Sequence, residues 1–441
     1  MGMSVNGADK ARHVQHEGLD GGDRRDGEAG AAQAGARRPG DAAAAGPARA
    51  VTAEAAAVSA VSAAGASRDA APVGGAAGAS AASSTAAAAV AGAAAGTAAA
   101  TASATAAAAA AAAAGARPAV SAVEPRTLRV THDTHYRYAA RVESAQHQAR
   151  LRPLDLPRQQ LLDFAIEIEP RPEGVSAEID AFGNQRTSFA LNQPHEELFV
   201  RSRSLVRVSP PTLTAGKRGE PPPAIARPAP GTASAWETVR DTLTFRAGQA
   251  YDAASEFVFP STHVACHADL AAYAARSFTP GRPLVQAAWD LMRCIHAEFA
   301  YTPNSTDVNT TALDALALRR GVCQDFAHVM IGAMRSLGLA ARYVSGYLLT
   351  QPPPGQPRLI GADASHAWVE AYDPAWPEDG GWLQLDPTND RAPGNDYVML
   401  SIGRDYADVT PLRGVIRGGG ADQVLAVGVT VEPLDEAPAA G

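Results

Sequence analysis

At 441 residues the chain has room for two or three domains, and its formal net charge of −8 with a pI near 5.8 comes without a basic run of the kind that marks a nucleic-acid surface, so no nucleic-acid partner is expected. Lysine occurs only at Lys10 and Lys217, which leaves nearly all positive charge to arginine. The three cysteines, Cys266, Cys294 and Cys323, are an odd set in a long chain; they form no disulfide framework and fit a reducing, cytoplasmic compartment.

Residues 1–120 read as a disordered, low-complexity Ala/Gly-rich segment. From 70 to 116 there is no charge, and the run is almost entirely Ala, Gly, Ser, Thr and Val, too poor in large apolar residues to build a core. Its uncharged length invites a transmembrane reading, but alanine with scattered Ser, Thr and Gly gives little drive for insertion. Residues 1–40 carry acids and histidines throughout and lack the apolar core of a secretory signal. No membrane partner is expected. The alanines from 106 to 114 favour a transient helix that Gly115 and Pro118 end.

Residues 121–208 read as a β-rich domain. Alternation at Leu128, Val130, Tyr136 and Tyr138, again over 164–168 and 198–208, with a turn at 180–184 between two strands, suggests a small sandwich. A proline-rich linker covers 209–232, and a catalytic domain 233–432 precedes a frayed tail, 433–441. That domain opens with helical patterns over 235–243, 267–276 and 284–299. Cys294 lies off the stripe of the third and Cys266 opens the second, so both read as structural. His263, Cys266 and His267 have a spacing that suits zinc, yet no second ligand cluster accompanies them, so no metal is expected.

Residues 321–338, GVCQDFAHVMIGAMRSLG, carry the strongest signal. Phe326, Ala327, Met330, Met334 and Leu337 recur at three- and four-residue steps, predicting an amphipathic helix with Cys323 on its inner stripe. Gly321 before it and Gly338 after it put Cys323 in the first turn, where free backbone N–H groups and the macrodipole favour a thiolate. His328 lies nearly half a turn off that face and is a poor base for the thiol. A strand follows over 343–349. Two further strands, SHAWVEAY (365–372) and GWLQLDP (381–387), are joined by turn chemistry. A hairpin centred on Trp376 would set His366 opposite Asp386, within reach of an imidazole–carboxylate hydrogen bond. Nucleophile, base and orienter then follow as Cys323, His366 and Asp386. Trp368 shares the face of His366 and is a candidate wall for the acyl site, with plain packing the alternative. Strands over 397–402 and 424–431 are expected to close the sheet behind the hairpin.

The segments GVCQDFAHVM, RYVSGYL (342–348), HAWVEAY and LDPTN (385–389) resemble, in order and spacing, the bacterial transglutaminase-like cysteine peptidases of the papain-like transglutaminase superfamily. Residues 128–208 look like that family's β-rich N-terminal region, and GRDYADVTPLRG matches near the C-terminus; the resemblance covers roughly the last three quarters of the chain. It implies an α+β fold in which a Cys-bearing helix packs on an antiparallel sheet bearing His and Asp, and it implies Cys323, His366 and Asp386 as nucleophile, base and acidic partner. The implied activity is that of a thiol hydrolase on a protein or peptide substrate, without a cofactor. Transamidation is the second reading and a non-catalytic binding module the third. The sequence sets no oligomeric state.

Overall fold

The computed structural model describes residues 49–52, 124–214, 219–350 and 364–434. The disorder expected for most of 1–120, the positions of Lys10 and Lys217, the proline-rich loop 351–357 and the end of the tail lie outside the described residues. In chain order the strands are β1 (Arg49–Thr52), β2 (Arg126–Ala149), β3 (Gln159–Glu169), β4 (Gly174–Ile179), β5 (Gln185–Leu191), β6 (His195–Val208), β7 (Ala300–Tyr301), β8 (Arg320–Gly321), β9 (Ala341–Leu348), β10 (Ala364–Tyr372), β11 (Trp382–Leu385), β12 (Tyr397–Gly403), β13 (Leu412–Gly418) and β14 (Gln423–Pro433). The helices are α1 (Pro223–Ala226), α2 (Trp236–Leu243), α3 (Ala268–Ala275), α4 (Leu284–Glu298), α5 (Ala312–Leu318), α6 (Cys323–Arg335) and α7 (Tyr406–Val409).

β2 organises the β-rich part. Leu128, Val130, His132, Thr134, Tyr136 and Tyr138 are buried at every second position, as a strand with one face on a core requires. Its first half pairs with β6 and β14 and its second half with β5 and β13. This corrects two expectations. The β-rich domain is not confined to 121–208, because β13 and β14 return from the C-terminus to flank β2. The strand near 424–431 therefore does not close the catalytic sheet; Val429 and Val431 are buried with Leu128, Val130 and Val206 instead, so its apolar face matches β2. The domain boundary at 432 falls inside β14. Four residues of the stretch expected to lack structure form β1, which pairs with the outer side of β13.

The linker is also more ordered than its composition suggested. Proline at the start of α1 presets the helical φ, and Ile225 behind it is buried in the main core. The three helices expected over 235–299 are present as α2, α3 and α4.

The Cys323-bearing part is a four-stranded antiparallel sheet in the order β11-β10-β9-β12, with α6 packed on one face. α6 is not amphipathic in its surroundings. Every residue from Cys323 to Arg335 is buried, because α3, α4 and α5 cover the sides the sheet leaves open. The polar residues on its far side are consequently paired. Arg335 spends its guanidinium on the carbonyls of Ala341, Arg404 and Phe259 and the hydroxyl of Ser261. His328 accepts the N–H of Tyr406 at 3.2 Å and stacks on His263. Ala367, Val369 and Ala371 of β10 belong to the α6-facing core, whereas Trp368 packs with Val344, Tyr397 and Met399 on the other face.

Candidate active site

Cys323 is the first residue of α6, and the turn before it is tightly built. β8 pairs with β7 and ends at Gly321. The Asp325 carboxylate accepts the N–H of Val322 at 2.7 Å and the Thr306 hydroxyl at 2.7 Å, tying down the helix start. A Cβ at Gly321 would overlap Asp325, which explains the glycine. Burial pushes the Asp325 carboxyl up to about 6 against the pull of those two donors. The thiol is wholly buried at this helix start.

His366 and Asp386 are brought together, by a register other than the one expected. Val369 pairs with Leu385 and Tyr372 with Trp382, so the hairpin centres on Pro377 and not on Trp376. The extra length is taken up by the 3₁₀ turn Asp379–Gly381, where Asp379, Gly380 and Gly381 all have positive φ. The shift preserves which face each residue occupies. It carries Asp386 off the end of the ladder, where it bridges to Arg391 and turns back on the imidazole. His366 Nε2 donates to Asp386 Oδ2 at 2.7 Å, with both side chains fully buried.

Burial lowers the His366 pKa, but the Asp386 carboxylate and then Cys323 overcome it and raise the ring to about 10, so the thiol is near enough to act on the ring. Nδ1 makes no hydrogen bond of ordinary geometry. Asp386 is held in the charged form, well below the usual carboxylate range: burial opposes this, while His366, Tyr397 and Asn389 favour it.

Two partners were not singled out from sequence. Asn389 Nδ2 donates to Asp386 Oδ2 at 2.8 Å, and the backbone N–H groups of Thr388 and Asn389 donate to Oδ1 at 2.9 and 3.1 Å. The DPTN run carries the signal for this, since an Asp beginning a turn accepts amides two and three residues on. Tyr397 donates its hydroxyl to Asp386 Oδ2 at 2.6 Å, and burial keeps that hydroxyl protonated. Nothing local marks Tyr397, which arrives on a different strand.

The other candidates are placed as follows. Trp368 is 0% exposed, edge-on to Tyr397, and lies so close to β9 that a Cβ at Gly346 would overlap it; its position is that of packing and not of an open wall. Burial lowers the His328 pKa to about 3, a neutral ring with a structural hydrogen bond. Cys266 is exposed and Cys294 partly buried, and desolvation raises both thiols. His267 Nδ1 caps α3 by accepting the Asp269 N–H. Among the described residues no group of three or more His, Cys, Asp or Glu is arranged to hold a metal, and no helix is long and apolar enough to cross a membrane.

Known proteins resemble this chain in sequence and in fold. The bacterial transglutaminase-like N-terminal region matches residues 128–207, and the transglutaminase-like superfamily matches residues 271–387. An uncharacterized protein of Mycobacterium tuberculosis is 40% identical over 307 residues, covering 70% of this chain and 93% of its own length. A protein-glutamine gamma-glutamyltransferase of Pseudomonas aeruginosa is 34% identical over 133 residues, 28% of this chain and 19% of that protein. A structure from Cytophaga hutchinsonii, solved as a candidate cysteine protease, aligns with a TM-score of 0.52 at 20% identity over 71% of this chain and 92% of that one, which supports the fold. The chain belongs to the transglutaminase-like superfamily of thiol enzymes, with the bacterial transglutaminase-like N-terminal region ahead of its core.

Proposed function

We propose that the protein cleaves amide bonds of a protein or peptide substrate through a thioester on Cys323, with water as the usual acceptor. The observation that carries this reading is the imidazole of His366, anchored through Nε2 to Asp386, with Nδ1 uncommitted and Cys323 near enough to help raise the ring. The attacking species is the thiolate of Cys323, with His366 in its protonated form as the acid. Sγ attacks the carbonyl carbon, the C–S bond forms, and the electron pair of the C=O moves to oxygen. The N–H of Cys323 meets that oxyanion. Nδ1–H then protonates the departing nitrogen as the C–N bond breaks. In the second half the neutral ring takes a proton from water, the hydroxide attacks the thioester, and the C–S bond breaks to release the acid and return the thiolate beside the recharged ring.

Transamidation is the second reading. Its support is the likeness of the core to the Pseudomonas aeruginosa glutamyltransferase, and it differs only in an amine replacing water in the second half. The third reading, a non-catalytic module, is disfavoured because a buried imidazolium–carboxylate pair is costly to desolvate and serves no binding surface here. Free cysteines at all three positions support a reducing, cytoplasmic compartment as part of the same proposal.

Incubating the enzyme with a glutamine-containing peptide and excess primary amine, with mass spectrometry of the products, tests both readings. Hydrolysed product should dominate and vanish in Cys323→Ala. An amine adduct exceeding it at millimolar amine would replace hydrolysis by transfer, and no product from the wild type with any of a panel of such peptides would count against both.

A further inference from the structure

β12 ends the four-stranded sheet, so the groups facing away from β9 would be left without a strand to pair with. Two side-chain amides from the β-rich part stand in for that strand. Gln159, the first residue of β3, accepts the Met399 N–H through Oε1 at 2.7 Å and donates Nε2 to the Met399 carbonyl at 2.8 Å. Asn184, in the turn between β4 and β5, does the same to Ile402, accepting at 2.8 Å and donating at 2.7 Å. Both amides are buried, so each bond lacks competition from water. Gln159 is fixed in turn by the Leu154 carbonyl, which Nε2 also reaches at 2.8 Å.

We propose that Gln159 is a positioning residue for the reaction: by gripping Met399 it sets the place of Tyr397, two residues earlier on β12, and so the hydroxyl that holds Asp386 against His366. Apolar packing joins the two sheets elsewhere, through Leu128, Val206, Tyr347, Val398 and Leu400. Beside Tyr397 that packing comes from Leu154, with Leu156 and Phe182 at its margin. A cavity of about 300 Å³ lies there, lined by Arg158, Gln159, Arg342, Tyr397 and Met399. A strand bordering a void is located in part by its hydrogen bonds, and at Met399 the two from Gln159 act beside the Leu154 N–H, which donates to the Met399 carbonyl at 3.2 Å. The β-rich region thereby becomes part of the catalytic unit and not an appended binding module. This rests on the proposed roles of His366 and Asp386.

The test reads the ring of His366 and not turnover. In full-length protein carrying isotope-labelled histidine, assigned with His366→Ala, the ring nitrogens report by NMR the pH at which His366 loses its proton. Tyr397→Phe removes a donor from the carboxylate that supports the ring, so that pH moves by about one unit. Gln159→Leu, of similar shape but unable to bond, should move it in the same direction, and the double variant no further than Tyr397→Phe alone. Asn184→Leu removes the other grip without touching Met399; it should lower the melting temperature and leave the ring at its wild-type value. Should Gln159→Leu not fold, Gln159→Glu keeps the acceptor for Met399 N–H and loses the donor, and a smaller shift of the same sign is expected. The inference falls if Tyr397→Phe leaves the ring unmoved, if the Gln159 variants leave it unmoved, if the two shifts add, or if Asn184→Leu shifts it as much. Absent turnover in the wild type would overturn the proposed activity without altering this outcome.

Discussion

Asp386→Asn is the most informative single change. The ring of His366 stands at about 10 against an ordinary 6.5 although burial alone would lower it, and Asp386 is the largest cause of the rise. At about 1.4 kcal/mol per pH unit, the charged ring is favoured by roughly 5 kcal/mol. Asparagine retains an oxygen for the N–H groups of Thr388 and Asn389, so the turn should survive. Its NH₂ then faces the three donors that met Oδ2: His366 Nε2, Asn389 Nδ2 and the Tyr397 hydroxyl. Tyr397 can rotate to accept. The imidazole answers by losing its charge and keeping its one proton on Nδ1, which leaves the neutral ring without a base at that nitrogen. Histidine NMR should show the ring losing its charge below pH 6.5 and taking the Nδ1–H tautomer, and amide cleavage should fall about 10³–10⁴-fold. A variant that kept the charged ring at pH 8 would refute the electrostatic argument, whatever its activity.

Stability should depend on pH with opposite signs at different sites. The raised pKa of His366 contributes stability in full below about 6.5, lost as pH rises toward 10, so thermal melts should decline on that limb and His366→Ala should flatten it. His147 is lowered to about 4, first by burial and then by His195, and both its ring nitrogens lack partners among the described residues; its contribution is present above about 6.5 and lost as pH falls through 4. His147→Phe should therefore raise the melting temperature near pH 4.5 and change it little at pH 8, and no gain at acid pH would contradict this. Gly321→Ala should displace Asp325 and loosen the start of α6, costing stability by about 1–3 kcal/mol in denaturant unfolding and lowering turnover; wild-type values on both counts would show that the turn has slack. Gly346→Ala meets the Val398 carbonyl and the Trp368 ring at once, so soluble, fully folded protein with an unchanged melting temperature would be incompatible with the packing described.

The elements of the catalytic part were legible because their signals are local. The three- and four-residue recurrence from Phe326 to Leu337 marks α6, alternation marks β10, and prolines, acids and glycines mark the turn between β10 and β11. The face shared by His366 and Asp386 was legible too, since a period of two survives any even shift of register. The register was not. It depends on how many residues the turn absorbs, and three consecutive positive-φ positions at Asp379, Gly380 and Gly381 absorb more than composition reveals. The inward stripe of α6 was correctly placed, but its complete burial follows from three other helices closing around it, and helix patterning carries no record of its neighbours. The same holds for the C-terminal strands. An apolar alternation at 424–431 says that a strand exists, and only the length of β2, which offers an unoccupied edge along its first half, decides where it pairs. Tyr397, Gln159 and Asn184 show the limit most clearly. Asn184 and Gln159 act on β12 from more than two hundred residues away, and Tyr397 reaches Asp386 from a different strand; a hydrogen bond between separate elements leaves no periodicity to read. Sequence determined the residue types and the faces they occupy; the tertiary structure decided which of them meet.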